Sequence, residues 1–174
     1  RKATAACSLY ICARQRPRES WRKNSKMNSP VIRQAVLQDA QQMAELDRIC
    51  FSVPWSLESF VQELSVNERA MYFVAEIDGQ IAGYAGLWQI VDEGHITNVA
   101  VAPQFRRQKL ATAILEAFLA EGRARGIRAF TLEVRASNIA AQELYRKFGF
   151  QSAGYRPGYY EDNKEAAMIM WLAE

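Results

Sequence analysis

The dipeptide Asp78-Gly79, set between the apolar runs 72–77 and 80–90, constrains the fold more than any other stretch of the chain. A two-residue hairpin loop of type I′ needs positive φ at both central residues, and Asp-Gly is one of the few pairs that accepts it at low cost. The flanking runs are rich in aromatic, β-branched and small apolar residues, as strands packed on a pleated surface are. An antiparallel pair of fixed register follows, and it needs further elements to cover its faces.

The rest of the chain supplies them. Residues 31–36 read as a short edge strand, and residues 40–50 place Met43, Leu46 and Ile49 at helical spacing behind Asp39, a candidate N-cap. Pro54 interrupts the chain, and Ser56 opens a second short helix with Leu57, Phe60, Val61 and Leu64 on its apolar side. A third strand over about 95–102 is closed by Pro103. Leu110, Ile114, Ala117 and Phe118 then line a helix ending near Gly126. Residues 130–134 form a strand, and Asn138 caps a helix over 139–147 carrying Ile139, Leu144 and Phe148, with Gly149 as its C′ residue. Strands over 150–154 and 166–172 finish the order. The order predicts a mixed α/β sheet in a single domain over residues 27–174, with no repeat and no second-domain linker.

Charge is unevenly spread. Eight of the 22 Lys and Arg but one of the 19 Asp and Glu fall in residues 1–26, a surplus of +7, so the remainder carries −4. A mildly acidic body has no nucleic-acid stripe and favours a cationic substrate such as an amine or a basic peptide tail. No apolar run approaches the roughly 18 residues of a membrane span. The basic, acid-poor segment 1–26 is expected to be disordered in isolation. It reads as an upstream reading-frame extension ahead of the Met27-Asn28-Ser29-Pro30 start rather than an organellar transit peptide or an RNA-touching arm. Cys7, Cys12 and Cys50 are an odd number without metal-ligand spacing, so neither disulfides nor bound metal are expected and a reducing, cytoplasmic setting is the default.

Two stretches carry chemistry. Phe105-Arg106-Arg107-Gln108-Lys109-Leu110-Ala111 leads from a strand into a helix, where unpaired N–H groups and the positive end of the dipole meet three cationic side chains. It is either an anion site suited to a pyrophosphate or a solvated basic loop. The second stretch is Leu132 to Phe150. Glu133 interrupts an apolar strand, where an ionised carboxylate is costly unless paired or wetted. It is either a base in a cleft or the partner of Arg135 or of a neighbouring-strand cation. Tyr145 is a candidate proton donor or a core tyrosine. Asn138 is first a cap, and His95, the only histidine, reads as a surface or strand-end residue.

Together these motifs resemble the GCN5-related N-acetyltransferases, whose acetyl-CoA loop Q/R-x-x-G-x-G/A is matched by Arg106 to Ala111, with Lys109 at the usual first glycine. Pro54 to Ser56 (PWS), Asn98 to Val101 (NVAV), Leu132 to Asn138 (LEVRASN) and Leu144 to Phe150 (LYRKFGF) resemble the RimI branch, the ribosomal-protein-alanine N-acetyltransferases, over nearly everything beyond the basic tail. The resemblance implies a mostly antiparallel central sheet with splayed central strands and flanking helices. It assigns acetyl-CoA contacts to Val99, Ala100, Val101, Arg106, Arg107, Gln108, Lys109, Leu110, Ala111, Thr112 and Asn138, the N–H groups of Val99 and Val101 serving an oxyanion-type role. Lys109 is taken as tolerated because a helical φ needs no glycine.

By the same resemblance Glu133 is the general base acting through water, and Tyr145 the general acid for the CoA thiolate. Transfer is direct, so Cys50 is expected only to pack. Trp55, Tyr159 and Tyr160 wall a peptide groove, with packing beneath the Pro54 kink the other reading for Trp55. The implied acceptor is a protein N-terminus beginning with alanine, above all that of the eighteenth small-subunit ribosomal protein. An α-amine of pKa near 8 needs less help to deprotonate than a lysine near 10.4. The enzyme is expected to be monomeric. Acetylation of a small amine or a lysine side chain, or acyl-CoA binding without catalysis, are the competing readings.

Overall fold

A computed structural model describes residues 28–173; the readings of residues 1–26, with Cys7 and Cys12, lie outside the described residues. Val31–Gln34 (β1) is an edge strand antiparallel to Ala70–Ile77 (β2), and β2 turns through Asp78 and Gly79 into Gln80–Ile90 (β3). Both turn residues have positive φ, 52° and 77°, as the type I′ geometry requires. Glu93–Val101 (β4) extends the antiparallel group. Ala129–Arg135 (β5), Gln151–Arg156 (β6) and Ala167–Ala173 (β7) form a second antiparallel group, and the sheet order is β1-β2-β3-β4-β5-β7-β6. The expected mixed, mostly antiparallel sheet is present.

The two groups meet at the parallel contact of β4 with β5, where residues 93–95 pair with 129–131. Beyond His95 and Thr131 no ladder joins the strands. A bulge at Thr97, which leaves Ile96 opposite Leu87 and Asn98 opposite Gly86, lies just past the last of these pairs. Bulges bend the strand that carries them, so β4 departs from β5 where the cleft opens.

Helices cover both faces. Ala40–Cys50 (α1) and Leu57–Ser65 (α2) lie on the face carrying Tyr84 and Trp88, which bond to Asp47 of α1 and Glu63 of α2. Leu110–Ala124 (α3) packs on the opposite face, where Ile114 approaches Gly83 and Gly122 approaches the Phe130 ring. Ile139–Lys147 (α4) follows β5. Ser56 caps α2 by accepting the Ser59 N–H, as expected.

Three helix readings change. The buried stripe of α1 runs through Met43, Leu46, Asp47 and Cys50, whereas Ile49 is 52 % exposed; the i, i+3, i+4, i+7 face includes an acid that apolar patterning passes over. Asp39 sits in helical backbone conformation, and its carboxylate accepts the Val36 N–H and two bonds from Arg33, so it caps the 3₁₀ turn before α1. In α4 the buried residues are Ala141, Gln142 and Tyr145, and Ile139 is exposed. The helix is turned this way because the Gln142 amide donates to the carbonyls of Arg135 and Ala136, both at 3.0 Å.

Gly86 makes room for the core. A Cβ there would lie 2.1 Å from the buried Tyr72 ring, whose hydroxyl is bonded to Glu63. Gly86→Ala is therefore expected to lower stability by about 2 kcal/mol or more, the scale of overpacking a close-fitted core. Urea denaturation should show a lower midpoint at unchanged slope.

Candidate active site

The cleft between β4 and β5 is built first from backbone. Ala102 N–H donates to Ala82 O on the β3 side. Successive N–H groups of a strand point to alternate sides, so Ala100 shares that direction while Val99 and Val101 aim their N–H groups toward the opening. The bent strand thus presents two N–H donors, two residues apart, along the side away from β3.

The anion loop follows. Arg107 and Lys109 have φ of 64° and 60°, and Lys109 is the N-cap of α3 with no side-chain bond to the helix. The N–H groups of Leu110, Ala111 and Thr112 therefore lack intrahelical acceptors, and the exposed side chains of Arg107, Gln108 and Lys109 surround them. Such a terminus fits a pyrophosphate. Arg106 donates its Nε to Val101 O at 3.1 Å and so secures the end of β4. One expectation is corrected. Lys109 is left-handed rather than helical, the region where a glycine relieves strain.

Glu133 lies two residues beyond the last β4–β5 pair. Paired residues across a sheet share a face, so Trp88, His95 and Thr131 line up with Glu133 on the α1–α2 side. Burial raises the Glu133 carboxyl above the ordinary glutamate range, and Arg156 and His95 partly counter it. Its ion partner is Arg156 of β6, at 3.4 Å. Arg135, the partner considered from sequence, is engaged elsewhere: it bonds to Asp162 at 2.7 Å and Glu165 at 3.1 Å. Arg156 reaches Glu133 only through the β5-β7-β6 register, which no local pattern encodes. His95, read as a surface or strand-end residue, is partly exposed beside Glu93 at 3.1 Å and also acts on Glu133 through its charge.

Tyr145 is fully buried, its ring 5.7 Å from that of Phe150. Asn138 caps α4, its Oδ1 accepting the Ala141 N–H at 3.2 Å. Trp55 packs its ring against Phe60 and Trp88, so its first role is in the core. Tyr160, expected as a groove wall, is 5 % exposed beneath the Arg135 guanidinium, which lies 3.8 Å from its ring centroid. Tyr159 is half-buried, with Arg156 5.3 Å above its ring. Cys50 is buried and its thiol points to Val101 O, as a packing residue does.

Residues 40–150 match the model of the acetyltransferase (GNAT) family. The chain belongs to the GNAT acetyltransferases. It is 41 % identical over 141 residues to a Bacillus subtilis (strain 168) protein provisionally described as a ribosomal protein bS18-alanine N-acetyltransferase, covering 81 % of this chain and 93 % of that protein. It is 37 % identical over 129 residues to the ribosomal protein bS18-alanine N-acetyltransferase of Escherichia coli (strain K12), covering 73 % and 86 %. The crystal structure of the ribosomal-protein-S18-alanine N-acetyltransferase from Escherichia coli superposes with a TM-score of 0.77 at 34 % identity, over 83 % of this chain and 94 % of that one. No helix among the described residues is long and apolar enough to cross a membrane.

Beneath the cleft of this GNAT enzyme lies a group that apolar patterning does not reveal. Asp47 is fully buried, and its carboxylate accepts from the Tyr84 hydroxyl, from Trp55 N–H at 2.6 Å and from the Asn98 amide at 3.5 Å. Desolvation pushes its pKa up to about 6 despite these donors. The only signal in the sequence is an acid at a core-facing helical position.

Two outcomes follow for this acetyltransferase. Lys109→Gly removes the left-handed strain and is expected to raise stability by about 1 kcal/mol in denaturant titration. For Asp47 the folded state holds its proton more tightly than the unfolded chain, so the group's contribution is favourable below about pH 4 and is lost as pH rises through about 6. Relative to Asp47→Asn, the wild type should lose roughly 2–3 kcal/mol across that window. Parallel stability-versus-pH curves for the two proteins would contradict it.

Proposed function

We propose that this chain transfers the acetyl group of acetyl-CoA to the α-amine of an N-terminal alanine on a ribosomal protein, the small-subunit protein S18 being the first candidate. The observation that carries the reading is the position of Glu133, a half-buried carboxylate just past the point where β4 and β5 separate. Its kinship with bS18-alanine acetyltransferases supplies the acceptor class.

Arg107, Gln108, Lys109 and the N–H groups of Leu110, Ala111 and Thr112 would hold the pyrophosphate, with Asn138 of α4 along the cofactor arm. Acetyl-CoA supplies an activated thioester. Val99 and Val101 aim N–H donors at the oxygen that gains charge as the amine attacks. Glu133 takes the ammonium proton, through a water molecule, and its raised pKa brings it nearer to that of an α-amine. Arg156 and His95 act against that rise. Tyr145 gives a proton to the departing sulfur from a site that excludes bulk water.

The test is acetyl transfer to short peptides with alanine first, compared with free lysine and a polyamine. The alanine peptide should lead in kcat/KM by at least about tenfold, and equal rates would overturn the acceptor assignment. Glu133→Gln should cost about 10²-fold in kcat/KM near pH 6, a gap that narrows as the amine sheds its own proton near pH 8. Tyr145→Phe should slow transfer at every pH at which the phenol is protonated. Unchanged pH profiles in both variants would remove the two residues from the mechanism.

A further inference from the structure

Arg135 lies on the same face of β5 as Glu133, two residues along, with its side chain 7 % exposed. From there it reaches into the β6–β7 connection. One terminal nitrogen donates to Asp162 at 2.7 Å, and the other to Asn163 and Glu165, both at 3.1 Å. Its guanidinium plane covers Tyr160. Glu165 in turn accepts the Ser137 N–H at 2.7 Å, which fastens the far end of the connection to the β5–α4 turn.

Asp162 does more than receive Arg135. The same oxygen, Oδ2, accepts the hydroxyl of Ser52 at 2.7 Å, and Ser52 belongs to the α1–α2 connection, 110 residues away in sequence. The two connections carry Trp55, Tyr159 and Tyr160, the residues that the sequence resemblance assigns to the walls of the acceptor groove. Trp55, three residues after Ser52, is fixed from the other side by its bond to Asp47. A rigid strand, a forked cation and one shared carboxylate oxygen thus join both walls to the strand that carries the base.

We propose that Arg135 and Asp162 form a clamp that sets the width of the acceptor groove, with Ser52 as the latch on the opposite wall. The clamp rests on the acceptor reading above. Neither residue touches the reacting atoms; they position the walls that do. A groove of fixed width admits a slim N-terminal residue and disfavours a bulky one, so the clamp is a determinant of acceptor choice. Arginine is needed at position 135 because a lysine ammonium cannot fork toward Asp162 and Glu165 at once.

Ser52→Ala and Asp162→Ala alter exposed positions, and in Asp162→Ala the buried Arg135 guanidinium keeps its pair with Glu165. Ser52→Ala should raise KM for an alanine-initiated peptide about threefold and Asp162→Ala about tenfold, the range for losing an exposed or a charge-assisted hydrogen bond. kcat and KM for acetyl-CoA should stay within about twofold. The preference for alanine over leucine as first residue should shrink, and Asp162→Asn, which keeps an acceptor oxygen, should restore most of it. Loss of kcat and of acetyl-CoA binding in parallel with KM would show a merely structural role and overturn the clamp. A second readout does not need turnover: hydrogen exchange of the amides in 51–56 should quicken in Asp162→Ala, and unchanged exchange there overturns the clamp. A wild-type enzyme idle on alanine peptides would sink the acceptor assignment, while the exchange experiment still decides whether the walls are joined.

Discussion

The short parallel contact between β4 and β5 is the constraint on which the rest of the molecule depends. Three residue pairs, 93–95 with 129–131, hold an antiparallel group of four strands to one of three. A longer ladder would bind the groups more firmly, and it would also consume the N–H groups of Val99 and Val101. A shorter one would leave two sheets with exposed edges, which invite pairing with other chains. The compromise is reinforced by helices rather than by more backbone bonds. Phe130 at the junction is fully buried, and Gly94 and Gly122 approach its ring so closely that a Cβ at either would lie 2.8 Å from it. Packing around one aromatic ring therefore supports a junction that pairing alone leaves weak.

From that junction the polar chemistry is sorted by distance along β5. Thr131 is still paired to β4, Glu133 lies just beyond the separation, and Arg135 lies at the end of the strand. All three share a face because strand side chains alternate. The consequence is a division of labour by exposure. Glu133 keeps a half-open carboxylate with one loose ion partner, whereas Arg135 is enclosed by two carboxylates and an aromatic ring. A loosely held charge can exchange protons; one enclosed by carboxylates holds structure.

Local chemistry made much of this legible in advance. The Asp78-Gly79 turn, the Ser56 and Asn138 caps and the basic loop before α3 depend on residues near one another in sequence, and each stands where its residues place it. Motif resemblance pointed to the β4 strand, to Glu133 and to the basic loop, which lie around one cleft. What stayed hidden depends on tertiary register. Arg156 meets Glu133 across two strand pairings, Ser52 meets Asp162 across 110 residues, and Ile49 loses its place in the core to Asp47 because Tyr84 and Asn98 supply donors there. The left-handed φ of Lys109 is hidden for a related reason. The chain must turn sharply between the end of β4 and the axis of α3, and that turn is imposed by where the helix packs rather than by the residue that makes it.

Two carboxyls near the cleft have pKa values raised by burial, and a shift alone does not choose the base between them. Asp47 is shifted far enough to be a candidate on that criterion. Geometry excludes it. Both of its oxygens already accept bonds, from Tyr84 and Asn98 on one and from Trp55 on the other. Taking a proton from an acceptor would require opening that cluster, with buried donors left unpaired at about 1–3 kcal/mol each. Glu133 carries a smaller burden: its partner Arg156 is itself half exposed and can move aside for an incoming ammonium of the same charge. On the proposed function, the cation that pairs with Glu133 in the free protein occupies the electrostatic place of the substrate, and its displacement costs little because water receives it.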